Sequence, residues 1–254
     1  NIIPNLKRGW PRSILHLAAT HVERPPALDG TLTDPLWHGV QGIEPQVPFH
    51  HDSAFVATKV HVAWDITTLY VGVRATLPVL SVAVEKGSII ERDRLRAEKV
   101  MLSIDGRHNH SDMQTISINA RGEPEWYDDL THMAGFSDEV GFQHYWWTLK
   151  EANPDPAAKA RQMGLCGAAH AGATEWTAEL AIPLASLDVE TPIPGLTMGL
   201  EIIRTATERP AGDLPEPQLT DVAVGIFQAV HDGAHGAAPG VEGMLEVEHG
   251  QVGQ

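Results

Sequence analysis

Two groups of aromatic side chains lie outside the regular strand patterns of this sequence, and one of them adjoins carboxylates. Trp126 and Tyr127 directly precede Asp128 and Asp129. The face of an aromatic ring packs against the C–H groups of a sugar ring, and carboxylates accept hydrogen bonds from its hydroxyls. This pairing predicts a sugar-type ligand site with candidate residues Trp126, Tyr127, Asp128, Trp146 and Trp147. Because Trp146 and Trp147 are adjacent, a strand through them would turn one towards the core.

A second polar group lies in a predicted turn between two strands. Asp105, Asn109 and Asp112 have oxygen donors suited to calcium, and His108 with His110 could hold a transition metal. A solvated turn would have the same composition, since hairpin loops are commonly polar. The His50-His51-Asp52 segment resembles it, but adjacent histidines on an extended segment point to opposite sides. We therefore predict no metal ligand from these residues.

The sequence lacks the residue patterns of common enzyme classes. It has no G-x-S-x-G, HExxH, P-loop or dinucleotide fingerprint. Asp128 and Asp129 are neighbours whose side chains diverge, whereas a glycosidase needs two carboxylates facing each other across a cleft. Cys166 is the only cysteine, so an internal disulfide is excluded. We predict a non-catalytic protein in which Cys166 is a small apolar residue in a strand; a reactive thiol is the alternative.

Charge is distributed unevenly along the chain. The formal net charge is −15, which argues against nucleic acid as a partner. Residues 1–12 nevertheless carry +3 and no acid, leaving −18 for the remainder. We interpret residues 1–14 as an extended arm that docks on an acidic partner or an anionic membrane surface, through Lys7, Arg8, Trp10 and Arg12. The alternative is a solvated basic tail.

Two features of the chain bear on its location. No run of about 18 apolar residues is present, so no transmembrane helix is predicted. The chain begins at Asn1 rather than Met, which fits a processed periplasmic or secreted protein, although a trimmed chain would look the same.

Alternation of apolar and polar residues dominates the sequence and predicts half-buried antiparallel strands. It occurs at 56–64, 69–75, 100–104, 116–120, 175–182, 196–202 and 245–247. Short helical turns are predicted only at 35–40 and 183–187. Long Pro-, Gly- and Asp-rich segments link the strands at 41–53, 77–98, 121–141, 150–162, 206–219 and 228–240. These patterns predict an all-β, two-sheet sandwich with long loops.

Four segments carry a family resemblance. They are residues 28–37 (LDGTLTDPLW), 60–71 (VHVAWDITTLYV), 175–183 (EWTAELAIP) followed by Leu187, and 195–204 (GLTMGLEIIR). In order and spacing they resemble the carbohydrate-binding modules of family 9 and the related DOMON sandwiches. The resemblance spans about residues 15–248 and implies that Trp37, Trp64 and Trp176 are buried as core residues. Because strand patterns resume on both sides of each linking segment, we predict one domain over residues 15–254.

The resemblance implies a fold more firmly than a ligand. Because the chain looks free-standing, we expect a non-catalytic accessory subunit that docks on a larger, membrane-associated assembly; a carbohydrate-binding module is the alternative. Members of the family often hold structural calcium, so the resemblance leaves a structural calcium ion possible here. We expect no other cofactor. Some relatives carry a b-type haem for electron transfer, and residues of the ligating types here are Met101, Met113 and Met198, with His61 or Lys99.

Overall fold

The computed structural model describes residues 14–44, 57–77, 85–107, 113–127, 154–189, 192, 196–206, 218–229 and 245–248. The strands are β1 (Ile14–Ala18), β2 (Thr20–His21), β3 (Gly42–Ile43), β4 (Thr58–Trp64), β5 (Thr68–Thr76), β6 (Lys99–Asp105), β7 (Met113–Asn119), β8 (Pro124–Tyr127), β9 (Cys166–Ala171), β10 (Glu175–Pro183), β11 (Leu196–Ala206), β12 (Gln218–Ala229) and β13 (Leu245–Glu248). Short helices join some of them: α1 (Pro35–Gly39), α2 (Ile89–Ala97), α3 (Pro156–Gln162) and a 3-10 turn at Leu184–Leu187.

The strands form two sheets. Sheet A has seven strands in the order β1-β13-β12-β11-β6-β7-β8, with an additional β1–β12 pairing. Sheet B has the order β2-β4-β5-β10-β9, and β3 pairs with β4. Only the β1–β12 and β2–β4 pairings are parallel among the described strands. The predicted all-β, mainly antiparallel two-sheet sandwich is therefore confirmed.

Alternating residues of both sheets meet in the core. Sheet B contributes the inward side chains of β4, β5 and β10, and sheet A those of β6, β7 and β11. Trp64 and Trp176 are buried between the sheets, and Trp37 is buried on the other side of sheet B. All three predicted core tryptophans are thus confirmed, and truncating a large aromatic at such positions typically costs about 3–5 kcal/mol.

The turn between β4 and β5 is stabilised by one carboxylate. Asp65 Oδ1 accepts the backbone N–H groups of Thr67 (2.8 Å) and Thr68 (2.9 Å), which closes a tight turn. The Tyr70 hydroxyl donates to Asp65 Oδ2 at 2.7 Å. The aromatic residue after the turn therefore holds the hairpin that the sequence predicts at 60–71.

One end of the sandwich is closed by a buried ion pair. Arg204 pairs with Glu98, and both side chains are fully buried. The guanidinium also lies 5.2 Å from the centre of the Trp176 ring and donates to the backbone oxygens of Lys99 (3.2 Å) and Thr76 (3.4 Å). Because Lys99 belongs to sheet A and Thr76 to sheet B, Arg204 joins the two sheets.

Several sequence expectations need correction. Cys166 lies in a strand as expected, and it is exposed on β9 at the edge of sheet B. The predicted loops at 77–98 and 150–162 contain α2 and α3, and the loop at 121–141 begins with β8. Both helices begin at a local cap, Ser88 or Asp155, whose side chain accepts the backbone N–H of the third residue after it.

Other expectations lie outside what the structure describes. The arm at 1–14, with Lys7, Arg8, Trp10 and Arg12, precedes the described strands apart from Ile14. The single-domain assignment of residues 15–254 stays a prediction. None of the described helices has the length and apolar character needed to cross a bilayer.

Candidate ligand-binding site

Polar side chains surround the buried Met101 on the outward face of sheet A, where β6, β7 and β8 run side by side. Strand alternation sends Val100, Leu102 and Ile104 of β6 into the core, so the residues between them face away from sheet B. The same holds on β7 and β8. We call the resulting group the polar face; it comprises Lys99, Ser103, Thr115, Ser117, Glu125 and Tyr127.

Strand register brings these side chains together. Ser103 lies opposite Thr115, and Thr115 opposite Tyr127, so the three form a row across the sheet. The Ser103 and Thr115 hydroxyls are 3.3 Å apart. Ser117 lies opposite Glu125 in the adjoining row. Side chains in directly opposed pairs are near enough to bond, so the polar face is one connected surface.

Glu125 is the centre of this surface. Its Oε2 atom accepts hydrogen bonds from Lys99 Nζ (2.6 Å), Ser117 Oγ (2.8 Å) and the Tyr127 hydroxyl (2.6 Å). All three donors thus converge on one oxygen. Among the described residues, no donor lies within hydrogen-bonding distance of the other oxygen, Oε1. The carboxylate is held firmly through one atom and offers the other as an acceptor.

The polar face is recessed, and only part of it is accessible. Ser103, Thr115, Ser117 and Tyr127 are all buried, whereas the side chains of Lys99 and Glu125 keep 12% and 18% of their surface exposed. Buried hydroxyls usually have partners, as these do. A ligand approaching the face would therefore meet the Lys99–Glu125 pair first, with the hydroxyls behind it as supports.

The Glu125 carboxyl is charged over the ordinary pH range. Burial acts to raise its pKa, but the Lys99 charge and the hydrogen bonds from Lys99, Tyr127 and Ser117 outweigh burial, so the pKa lies below its usual value. Glu125 is therefore an acceptor and not a proton donor. The site can take up hydroxyl or N–H groups of a ligand through this atom.

A separate charge cluster lies beside the polar face, in the turn between β7 and β8. Glu123 pairs with Arg96 (3.3 Å) and Arg121 (3.1 Å) and accepts from Asn119 Nδ2 (3.2 Å). Asn119 Oδ1 in turn accepts the backbone N–H groups of Arg121 and Glu123, which shapes the turn. We call these residues the turn cluster; its arginines already face a carboxylate.

A fully buried carboxylate lies on the outward face of sheet B. Glu179 Oε2 accepts the backbone N–H groups of Asp29 (2.9 Å) and Gly30 (2.6 Å), and Oε1 accepts Trp37 Nε1 (2.6 Å). Glu179 is fully buried. Both of its oxygens are therefore occupied by the segment at 28–37, which leaves this carboxylate a structural role.

Gly30 allows that segment to lie directly on sheet B. Its φ angle of +80° belongs to the left-handed region, and a Cβ atom there would come within 2.5 Å of the Ala169 backbone in β9. The Thr177 hydroxyl donates to the Gly30 carbonyl at 2.6 Å. Leu32, Trp37 and Tyr70 then pack in a small core outside sheet B.

The sequence-predicted site residues have different positions. Trp126 and Tyr127 were expected on a loop, but the structure places both in β8, 1% and 4% exposed. Trp126 points into the core, because its neighbours Glu125 and Tyr127 point outwards. Tyr127 does belong to the candidate site, through its hydroxyl. Asp128, Trp146 and Trp147 lie outside the described residues, so their predicted role is neither supported nor opposed.

The metal and haem candidates are not assembled in the described part of the chain. No group of three His, Cys, Asp or Glu side chains there could hold a metal ion. Asp105 is buried at the end of β6, while His108, Asn109, His110 and Asp112 fall outside the described residues.

The residues suggested for haem ligation are spread over different surfaces. Met101 faces outwards on sheet A and His61 outwards on sheet B, so the sandwich core separates this pair. Met198 is a core residue, and Lys99 Nζ is bonded to Glu125. The side chain of Met113 lies outside the description.

Sequence reasoning missed most of the polar face. The alternation of Thr115, Ser117 and Asn119 indicates a polar sheet surface, but nothing in it shows that Lys99 and Glu125 join it. Glu125 falls in a segment interpreted as a loop. The missing information was the pairing of β7 with β8, which sets Ser117 opposite Glu125.

Comparison with solved structures identifies the fold. A family 9 carbohydrate-binding module from Caldicellulosiruptor kristjanssonii, solved with cellotriose, superposes with a TM-score of 0.52 and 16% identity over 81% of this chain and 82% of its own. The same type of module from that organism with glucose gives 0.51 and 16% identity, covering 80% and 83%. A protein from Bacteroides uniformis to which carbohydrate binding has been ascribed gives 0.52 and 11%, covering 89% and 94%.

No protein-family model and no curated protein sequence matches this chain. At these identities the likeness concerns the fold: the chain has the sandwich fold of family 9 carbohydrate-binding modules, as the sequence resemblance predicts.

Proposed function

We propose that this protein binds carbohydrate through the accessible part of the polar face. The observation that carries the proposal is the Lys99–Glu125 pair, which is fixed by Ser117 and Tyr127 and keeps one carboxylate oxygen for a ligand. The fold adds support, because its solved neighbours include modules with cellotriose and glucose bound. This is the alternative that the sequence had left open.

The chemistry of the pair suits a sugar. Adjacent hydroxyls of a pyranose ring can donate to one group and accept from another at the same time. Glu125 Oε1 is an acceptor, and the Lys99 ammonium has donor capacity beyond its bond to Glu125. Hydrogen bonds to charged groups are the stronger ones, so a pair of this kind can orient a neutral ligand.

We propose binding without catalysis. The carboxyl at the centre of the polar face has a lowered pKa and is already engaged by three donors, which does not suit a proton-donating acid. The sequence also predicts contacts of the sugar with Asp128, Trp146 and Trp147. These contacts stay a prediction and would add to the hydrogen bonds of the polar face.

The docking role expected for an accessory subunit has no support in the described residues. It depends on Lys7, Arg8, Trp10 and Arg12, all outside them, and the solved structures reported above are two family 9 carbohydrate-binding modules and a protein to which carbohydrate binding has been ascribed. Location in the periplasm or outside the cell likewise stays a prediction.

Titration calorimetry with cellotriose and with glucose tests the proposal. Lys99→Met should weaken binding of the sugar about tenfold, since one charge-assisted hydrogen bond is lost. Lys59→Met is the matched control: Lys59 pairs with Glu44 at 3.2 Å on the outward face of sheet B, so its removal should leave affinity unchanged. Equal effects of the two substitutions would contradict the assignment of the polar face, and a wild-type protein that binds no oligosaccharide, neutral or acidic, would contradict the function.

A further inference from the structure

We infer that Glu125 makes the polar face select uncharged, hydroxyl-bearing sugars and reject carboxylated ones. The inference rests on the proposed function and deepens it by naming the class of sugar. It concerns one side chain, and it follows from how the contacts of that side chain are divided between its two oxygens.

The division of contacts leaves one kind of group for a ligand to meet. Oε2 already accepts from Lys99, Ser117 and Tyr127, so a ligand cannot displace these bonds without loss. The remaining oxygen of the carboxylate is Oε1, which accepts and never donates at neutral pH. A ligand group placed against it must therefore carry a hydrogen, as a hydroxyl does and an ionised carboxylate does not.

The charges at the site act in the same direction. The Lys99 ammonium is 2.6 Å from the Glu125 carboxylate, so its charge is compensated before any ligand arrives. An anionic sugar would have to approach a carboxylate and would find a cation that is already paired. Burial of the surrounding residues limits screening by water, so this penalty should be larger than at an open surface.

The neighbouring arginines do not reverse this balance. Arg96 and Arg121 belong to the turn cluster, and both pair with Glu123. Their side chains are also more exposed than Lys99, at 55% and 32% against 12%. Attraction of an anion to them is therefore more strongly screened.

Removing the charge of Glu125 should invert the preference. Glu125→Gln keeps the shape of the side chain but releases Lys99, which would then be an uncompensated cation in a recessed site. Such a lysine suits a carboxylate. The variant should therefore lose affinity for neutral sugars and gain affinity for carboxylated ones, an outcome that a merely structural role of Glu125 would not produce.

The experiment compares two ligands of equal length by titration calorimetry: cellotriose and the β-1,4-linked trisaccharide of glucuronic acid, its C6-carboxylated counterpart. Wild-type protein should favour cellotriose at least about tenfold, from the loss of one charge-assisted hydrogen bond and added repulsion. Glu125→Gln should shift the affinity ratio about a hundredfold towards the acidic trisaccharide. Glu123→Gln, the same change two residues away, should shift it less than about threefold, as for an exposed pair.

Two further measurements keep the test decisive. The double variant Lys99→Met with Glu125→Gln should lose the gained affinity for the acidic trisaccharide, because the released cation is gone. Thermal unfolding of each variant reports whether it is folded. The ratio of the wild-type affinities for the two trisaccharides tests the inference even if a variant does not fold.

The outcomes separate the two proposals. A wild-type protein that binds sugar but prefers the acidic trisaccharide would overturn the inference and leave the proposed function standing. So would a shift as large in Glu123→Gln as in Glu125→Gln, or an unchanged ratio in a folded Glu125→Gln variant. Binding of neither trisaccharide would overturn the proposed function and remove the basis of this inference.

Discussion

Two glutamates face outwards from the two sheets, the fully buried Glu179 and the partly exposed Glu125, and each accepts three hydrogen bonds. Glu179 on sheet B divides them between its oxygens and receives all of them from the segment at 28–37. Glu125 on sheet A takes all three on Oε2, from side chains on three neighbouring strands. Two glutamates with the same number of donors thus differ in how those donors are divided between the two carboxylate oxygens.

The difference separates a residue that stabilises the fold from one that can recognise a ligand. Backbone N–H groups must be paired when they are buried, so Glu179 satisfies a requirement of folding. The donors around Glu125 are side chains, which the fold does not require to be polar. They orient the carboxylate through Oε2 and leave Oε1 as an acceptor. Judged by burial alone, Glu179 would be chosen before Glu125 as a candidate functional residue. Both of its oxygens are occupied, however, and neither remains for a ligand.

The largest effect should come from breaking the contact that holds the segment at 28–37 on sheet B. Gly30→Ala should cost about 3 kcal/mol or more in free energy of unfolding, since it adds a clash with Ala169 to a left-handed backbone. Gly87 is the control, because its φ of +81° is almost the same but nothing lies within 4 Å of its Cβ position. Gly87→Ala should cost only about 1–2 kcal/mol in urea denaturation. Equal costs would show that the clash with β9 is relieved by movement.

The next effect concerns the two carboxylates themselves. Glu179→Gln should lower the free energy of unfolding by about 2–4 kcal/mol, because an amide group is set against buried N–H donors. Glu125→Gln should lower it by less than about 1.5 kcal/mol, since Lys99 is in partial contact with water where it stands and the amide oxygen still accepts. Chemical denaturation of both variants measures the two costs. If they were equal, the proposed contrast between a structural and a binding carboxylate would fail.

The two carboxyls should also respond to pH in opposite directions. Burial raises the pKa of Glu179 although the N–H donors oppose it, whereas the pKa of Glu125 is lowered. A raised folded pKa gives stability that is present below the unfolded value of about 4.3 and is lost as the pH rises through the folded pKa. A lowered one gives stability that is present above about 4.3 and is lost as the pH falls through the folded pKa.

Denaturation of the wild type and both Gln variants across the acid range tests this. The stability difference between wild type and Glu179→Gln should shrink as the pH rises above about 4.3 and through the raised folded pKa of Glu179. The difference between wild type and Glu125→Gln should instead shrink as the pH falls below about 4. Parallel curves for the two variants would contradict the opposite shifts.

The smallest effect should come from Tyr127→Phe, which removes one of the three donors to Glu125. We expect a loss of about 0.5–1.5 kcal/mol in free energy of unfolding, the range for one hydrogen bond. Affinity for cellotriose should fall only a few-fold, because Lys99 and Ser117 still hold the carboxylate. A loss of affinity larger than that of Lys99→Met would indicate that the Tyr127 hydroxyl contacts the sugar directly.

The sandwich could be predicted from the sequence better than the site, for a physical reason. Alternation along one strand reveals which residues share a face; it groups Trp64 and Trp176 with the apolar residues of their strands, in agreement with the core positions that the family resemblance implies. The turn at Asp65 is likewise a local feature. Such signals lie within a few residues of each other, where a sequence can be interpreted directly.

The candidate site depends on pairings between strands, which local patterns do not contain. Lys99 and Glu125 are 26 residues apart and meet across β7 only because of the register of three strands. Trp126 shows the converse error: an aromatic beside carboxylates was interpreted as a ligand platform, yet strand alternation turns it inwards. Its two neighbours in sequence, Glu125 and Tyr127, are the ones that face the site.

The hydrogen bonds of Glu179 also bear on the order in which the chain can fold. They join residues 142 to 150 positions apart, so the segment at 28–37 cannot form these three bonds until β10 exists. At a synthesis rate of about 5–20 residues per second, this segment would wait for roughly 7 to 30 seconds before its acceptor is made. Contacts of such long sequence separation also slow folding after release. The segment at 28–37 should therefore be among the last parts of the protein to become protected from amide hydrogen exchange during refolding.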